Sequence, residues 1–545
     1  MTAAIAAANE AVASQWFQSR SETRDEAAPW TRRVSALIFV SALARYVFIA
    51  STGLTDTEAY YVSWARFPAW SYYDHAPGTA WLVRAAEWLL GGAYAARLVP
   101  AVCAAATAWL LFRLGTLLFS PRAGFLAALF TVASPFYFFI GFLVNPEGPL
   151  APMWLLFLLL LYRLRTQHEW WRPSVLGAVL GLAFLSKYTG ILLLPIALAF
   201  VAMTPSARGW LRRPSFYLAG VVALVVAMPV VAWNLAHHWP TLHLHLVERL
   251  SAVSGPPLAQ RFFHFARDQW LMFQPLLVPG FLAALVWCLL QARRDDRFRL
   301  LALASVLPGA FLAFVMVRAR DAEPHWTMVV YLSLAVAAGG WLDLNLHRLG
   351  RWPRRYLAVS LTSSAVFISL TLVHALSPQL APSLPGYVPG ADPINETLGW
   401  SSLREVLRAR ADRLGPEVAV VGSHNVLCGQ LLEQLSDLPK VYCVSPTRTA
   451  FDFLGRGQPP AGVPVLYVDS ARYRFDPARL LPDRVCHDVD SLDIKRGSLS
   501  VGRFRIAECT APQPGQPEDP LRRTGGGGLV AAALDDLAFP KEAGQ

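Results

Sequence analysis

Long apolar runs alternate with short polar connections through the first two thirds of the chain. They lie at roughly 34–53, 94–118, 122–143, 147–165, 174–186, 189–203, 215–236, 271–291, 300–317, 325–343 and 355–376. Most approach the roughly 20 residues with which a helix crosses a hydrocarbon core. The stretch 174–203 is different, because basic connections flank it on both sides. It has to enter and return, and about 30 residues are too few for two full spans and a loop. The pattern predicts two short helices meeting at "LSKYTG", with Lys187 near the turn and neighbouring helices covering it, since bare turn backbone is costly in lipid.

After Pro378 the pattern changes. Residues 378–391 are a Pro/Gly-rich linker. From 392 to about 512, helix-like "SLREVLRARADRL" and "VLCGQLLEQL" alternate with strand-like "EVAVVGS", "KVYCVS" and "VPVLYVD". Such alternation predicts a small α/β domain. The Gly- and Pro-rich residues 513–545 read as a flexible tail.

Composition fits this division. The chain has 545 residues, 54% of them hydrophobic and 16% charged, with a mean hydropathy of +0.38. Those values exclude an ordinary soluble protein. The formal charge of +11 comes almost wholly from arginine, and its placement orients the helices. Arg32 and Arg33, Arg163 to Arg172, Arg208 to Arg213, Arg293 to Arg299 and Arg348 to Arg355 fall in alternate connections, which the positive-inside rule assigns to the cytosol. The expected topology is about eleven spans, a cytosolic lead at 1–33 without signal-peptide character, a transmembrane region at 34–377, and everything beyond 377 outside. Four cysteines, Cys428, Cys443, Cys486 and Cys509, lie in the outer segment. None has CxxC spacing, and disulfides there are allowed, with three pairings open.

The outward segments hold the chemistry. The first, 54–93, carries Asp56, Glu58 and Asp74 among seven Trp and Tyr residues between Tyr60 and Trp81. Aromatic rings suit both a membrane interface and stacking on sugars, and a carboxylate there is suited to act as general base towards a hydroxyl. His75 follows Asp74. Glu147 opens a span in "NPEGP", where it complements the helix dipole or faces a cavity. Lys187 needs a partner, a cavity or an interface to reach. Arg318 and Arg320 lie outside, against the positive-inside trend; they pair with Asp321 and Glu323 or clamp a phosphate. His325 sits in "EPHW". His243 and His245 form an HxH pair which, with Glu58 or Asp74, is a candidate site for a divalent metal, though the spacing matches no strong motif. No P-loop, Rossmann glycine fingerprint or G-x-S-x-G occurs, so nucleotide-powered chemistry has no support.

In order, these segments resemble bacterial GT-C glycosyltransferases of the protein O-mannosyltransferase and lipid A aminoarabinose transferase type. The resemblance rests on "TEAYYVSWAR…YYDHAPGTAWLVR", "AARLVPAV", "NPEGPLAP", "LSKYTGILLLP", "WNLAHHWPTLHLHL", "EPHW" and the outer "VYCVS". It implies a GT-C membrane fold with a small extracytoplasmic α/β domain. It also implies inverting transfer of a sugar from a polyprenyl-phosphate donor to an acceptor hydroxyl of a lipid, glycan or protein at the outer face of the inner membrane, with no nucleic acid involved. Asp56 or Glu58 is then the base, with Asp74, His75, Glu147, Lys187, Arg318, Arg320 and His325 around the substrates. The family usually places Asp and Glu side by side; here Thr57 separates Asp56 from Glu58, and which of the two takes the proton stays open. A lipid-sugar flippase or transporter is the competing class. Against it stand the lack of an inverted repeat and the gathering of charge at one face rather than at mid-membrane.

Overall fold

The computed structural model describes residues 2–91, 95–251, 257–319, 323–348, 350–377, 379–380, 386–435 and 440–511, with the backbone alone for 2–26, 251 and 391. The chain divides into two compact units, Met1–Leu398 with Arg496–Leu499, and Gly399–Lys495 with Ser500–Gln545.

The first unit is helical. α1 runs Thr2–Ser51 without a break, so the lead expected at 1–33 is continuous helix with the first span. α2 (Asp56–Ser63) and α3 (Gly78–Leu90) lie in the first loop. α4 (Ala95–Leu118) follows, then α5 (Pro121–Ala133) and α6 (Pro135–Ile140). The run 122–143 had read as one span. Ser134 is extended (φ −69°, ψ 125°) ahead of Pro135, because the proline ring excludes helical geometry from the residue before it. α7 (Glu147–Arg163) is almost wholly buried and forms the core with Trp154, Leu155, Leu158 and Leu161.

α8 (Arg172–Ser186) and α9 (Leu193–Met203) meet through extended Lys187 and a 3-10 turn at Tyr188–Leu192, the predicted short pair. The return is tight: a Cβ on Gly190 would lie 2.4 Å from the carbonyl carbon of Ala183. α10 (Pro214–Ala236) packs on α8 where Gly177 meets the backbone of Ala219, a small-residue contact typical of membrane helices.

Next come α11 (Pro240–His243), a π-helical turn at Leu244–Glu248 and α12 (Arg249–Ser251). A further helix, α13 (Leu258–Met272), runs where an outer connection was expected, and the run read as 271–291 holds α14 (Val278–Gln291). α15 (Asp296–Arg318), α16 (Met328–Asn345) and α17 (Arg351–Leu376) complete the bundle. Among the described residues six helices are long and apolar enough to cross a membrane: the 27–51 part of α1, α4, α10, α15, α16 with the preceding turn, and α17. α5, α8, α9 and α14 are shorter apolar helices. α10 and α17 expose rows of large apolar side chains, including Leu224, Val225, Val366 and Leu370, as lipid-facing helices do.

The second unit is α/β. α18 (Trp400–Leu414) precedes β1 (Ala419–Gly422), α19 (Asn425–Gln434), β2 (Val441–Cys443) and β3 (Val465–Ser470). These match the sequence reading element for element. β4 (Val485–Arg496) and β5 (Leu499–Thr510) were not foreseen. The sheet order is β2-β1-β3-β5-β4, with β1 parallel to β2 and β3, and β5 antiparallel to β3. Disulfides join Cys428 to Cys443 and Cys486 to Cys509, deciding among the three pairings. The tail expected at 513–545 lies outside the described residues.

Candidate active site

α2 starts at Asp56 because Thr55 and Glu58 form a capping box. The Glu58 carboxylate accepts from the Thr55 amide at 3.0 Å and the Thr55 hydroxyl at 3.2 Å. Glu58 also receives Arg97 Nε at 2.9 Å, Arg97 Nη2 at 2.6 Å and the Val144 amide at 3.2 Å. Arg97 donates onward to Thr52 and to the Gly53 carbonyl. Both side chains are sealed from solvent, Arg97 at 2% and Glu58 at 1% exposure. A carboxylate offers about four lone-pair sites, and five donors occupy these. Glu58 therefore ties the start of the loop to α4 and to the segment before α7. Asp56, one position into α2, is buried, and its amide donates to Glu396 at 3.0 Å.

The loop continues as an aromatic nest. Trp64 stacks on Tyr72 with centroids 4.4 Å apart, and Tyr60 and Tyr61 meet Trp64 edge-on. Tyr60 donates to Asp74 Oδ2 at 3.0 Å, while Asp74 Oδ1 is buried with no hydrogen-bond partner among the described residues. Burial pushes the Asp74 carboxyl up to about 6. The His75 ring nitrogen Nε2 is 3.1 Å from the Tyr61 hydroxyl. Burial first, then the positive charges of Lys187 and Arg249, hold His75 well below the usual histidine range.

Below the nest sits a buried charge cluster. Glu147, in the first turn of α7, pairs with Lys187 and lies 3.0 Å from His325 Nε2. The Trp326 ring carries two cations, Lys187 at 5.5 Å and Arg249 at 5.4 Å. Arg249 Nη1 is 3.0 Å from His245 Nδ1, and His245 Nε2 is 3.2 Å from the Asp74 carbonyl. Burial and Arg249 bring His245 down to about 4. Just upstream, His238 and Trp239 adopt left-handed backbone (φ 63° and 59°), a local cost met where a segment is held for a purpose.

Asp74, His75, Glu147, Lys187 and His325 thus come together. Arg318 does not join them: it is exposed at the last turn of α15 and makes no hydrogen bond or ion pair among the described residues. Arg320 and Asp321 lie outside the described residues. The four candidate metal ligands do not converge: Glu58 is held by Arg97 and His243 faces Glu248 at 2.8 Å in the open. No group of three or more His, Cys, Asp or Glu able to hold a metal ion occurs among the described residues. Arg97 and Trp326 stand in motifs that the sequence reading quoted but were given no role in the site, and Arg249 was passed over. Both arginines stand on the predicted outer side, against the charge rule, and Thr55-x-x-Glu58 is a legible capping signature.

The architecture has known counterparts. ArnT of Cupriavidus metallidurans, in its crystal structure bound to undecaprenyl phosphate, superposes with a TM-score of 0.61 at 17% identity, covering 88% of this chain and 98% of that one. Its apo structure gives 0.58 at the same identity and coverage. The fold is that of the GT-C glycosyltransferases. Within it, residues 74–233 match the family described as dolichyl-phosphate-mannose-protein mannosyltransferase, a range that includes Asp74, His75, Glu147 and Lys187. The lipid A galacturonosyltransferase RgtD of Rhizobium johnstonii is 24% identical over 406 residues, 71% of this chain and 79% of that protein. The GT-C fold also accounts for the membrane bundle and the appended α/β unit described above.

Proposed function

We propose that this protein is an inverting glycosyltransferase that moves a sugar from a polyprenyl-phosphate donor to an acceptor hydroxyl at the outer face of the inner membrane. The observation that carries this reading is buried Lys187, paired with Glu147 and sharing the Trp326 ring with Arg249. Two cations on one aromatic ring, at the mouth of an apolar bundle, suit a phosphate whose prenyl tail stays in lipid. The undecaprenyl phosphate carried by ArnT, the similar structure, supports that donor class.

In this mechanism Lys187 and Arg249 stabilise the phosphate as it leaves with its bonding electrons. Asp56 takes the acceptor proton while the oxygen attacks C1 from the opposite side, which inverts the centre. Asp56 is favoured over Glu58 because the five donors on Glu58 leave it no lone pair for a proton. Asp74 and His75 orient the acceptor, and the Trp and Tyr nest supplies faces for a sugar ring. Two disulfides in the second unit support an oxidising, extracytoplasmic location for it. The name of RgtD makes lipid A the first acceptor to try.

The test uses purified protein in detergent, a radiolabelled polyprenyl-phosphate sugar and a lipid A acceptor. A transferase labels the acceptor in detergent, whereas a flippase acts only across a sealed bilayer. Asp56→Asn should lower transfer about 10²–10⁴-fold, the usual worth of a general base, with an unchanged melting temperature. Full activity of Asp56→Asn and Lys187→Ala together would remove the assignment.

A further inference from the structure

At the far end of α16 from His325 and Trp326 lies a second polar site. Asp343 lies about 26 Å along the helix from Trp326, with His347 just past the helix end, close to one hydrocarbon thickness away. A cavity of about 290 Å³ opens there, lined by Arg122, Asp343, Leu346, His347 and Arg354. It lies where the start of α5, the end of α16 and the start of α17 meet.

The charges do not balance. Among the described residues, Asp343 is the single carboxylate lining the cavity. It already accepts from the Ser120 hydroxyl at 2.6 Å and faces Arg122 at 3.7 Å. Arg354 spends one nitrogen on the Leu346 carbonyl and is otherwise exposed. Arg348, Arg351 and Arg355 add three more cations nearby, and the first turn of α17 holds no acidic residue. Cations gathered at that helix start oppose its dipole, and an anion seated among them would offset that repulsion. Apolar surface adjoins it: Trp352 is 78% exposed, and Trp341, Leu344 and Val359 also face outward. An exposed tryptophan beside arginines marks a membrane–water boundary.

We infer that this cavity binds the phosphate of an anionic phospholipid head group, in the leaflet at the basic end of the bundle. Arg122 and Arg354 contact the phosphate oxygens, His347 borders the head group, and the acyl chains lie along the exposed apolar face of α17. The inference does not depend on which sugar the protein moves, or on whether it moves one.

The test is lipid retention by the full-length protein. Protein in detergent is mixed with phosphatidylglycerol or phosphatidylcholine, and bound lipid is counted by native mass spectrometry. Wild type should keep phosphatidylglycerol and lose phosphatidylcholine. An Arg122→Gln/Arg354→Gln protein should hold phosphatidylglycerol roughly 30-fold more weakly, the worth of two arginines at an anionic surface. Arg122→Lys/Arg354→Lys should retain it, and this comparison keeps the test open if the glutamine protein fails to fold. Inorganic phosphate alone should leave the melting temperature unmoved. Equal retention of both lipids by wild type, equal phosphatidylglycerol binding by wild type and the glutamine protein, loss of binding in the lysine protein, or full protection by inorganic phosphate would each overturn the lipid assignment.

Discussion

Removing the cation from the Arg97–Glu58 pair separates a structural carboxylate from a catalytic one. Arg97→Met leaves Glu58 with the Thr55 amide, the Thr55 hydroxyl and the Val144 amide, but with an uncompensated charge in a site sealed from water. Breaking a buried pair from one side costs about 3–5 kcal/mol. Arg97→Met also strips the donors from the Thr52 and Gly53 carbonyls, adding about 1 kcal/mol or more for each acceptor left unsatisfied. Glu58→Gln should cost about as much as the broken pair, because Arg97 is then the stranded charge. The double change removes both charges together, so its cost should fall below the sum of the single changes by about 2–3 kcal/mol. The assay is thermal unfolding in detergent of the four proteins of this cycle, with sugar transfer measured on each. If the two single costs simply add, the structural account of Glu58 fails; if Glu58→Gln melts with wild type yet transfers nothing, Glu58 takes the catalytic role instead.

Three further outcomes follow from other parts of the molecule. Asp74 titrates near pH 6 when folded, above the value near 3.8 of an open carboxylate, so the folded state binds the extra proton and this group's contribution to stability falls as pH rises from about 4 to about 6. His245, held near 4, contributes with the opposite sign over almost the same range, and the lowered His75 carries that same sign. Taking the melting temperature of wild type minus that of Asp74→Asn cancels the histidines. That difference should decline between pH 4 and 6 and level off above, and a flat difference refutes the shift. The Cys428–Cys443 bridge closes 15 residues, so Cys428→Ser/Cys443→Ser should cost the second unit about 3 kcal/mol, read as earlier cleavage in limited proteolysis; unchanged protection refutes it. Gly190→Val would press a side chain into the Ala183 carbonyl of α8, so folded yield in detergent should drop sharply, and a wild-type yield would show that the turn can open.

The apolar periodicity was enough to place α4, α7, α8, α9, α10, α15, α16 and α17 within a few residues of where they run, and the turn at Lys187 between two short helices. Those features depend on local composition and on the cost of bare backbone in lipid. The strands β1 to β3 were legible for the same reason, being short β-branched runs between turn residues. β4 and β5 were not, because β4 is rich in Asp and β5 holds Gly502, residue types that strands disfavour, and neither carries a strong apolar run.

What the sequence determined by itself is thus the membrane class, the order of elements and the clustering of acidic, aromatic and basic residues in a few connections. Tertiary structure alone decided which charges meet. Glu58 finds Arg97 39 positions away, Lys187 finds Glu147 40 positions away, and Arg249 reaches Trp326 across three helices. It also chose the disulfide partners and left Arg318 outside the cluster. Periodicity is a property of neighbouring residues, whereas the partner of a buried charge is set by which helices pack and by the cost of leaving that charge unpaired.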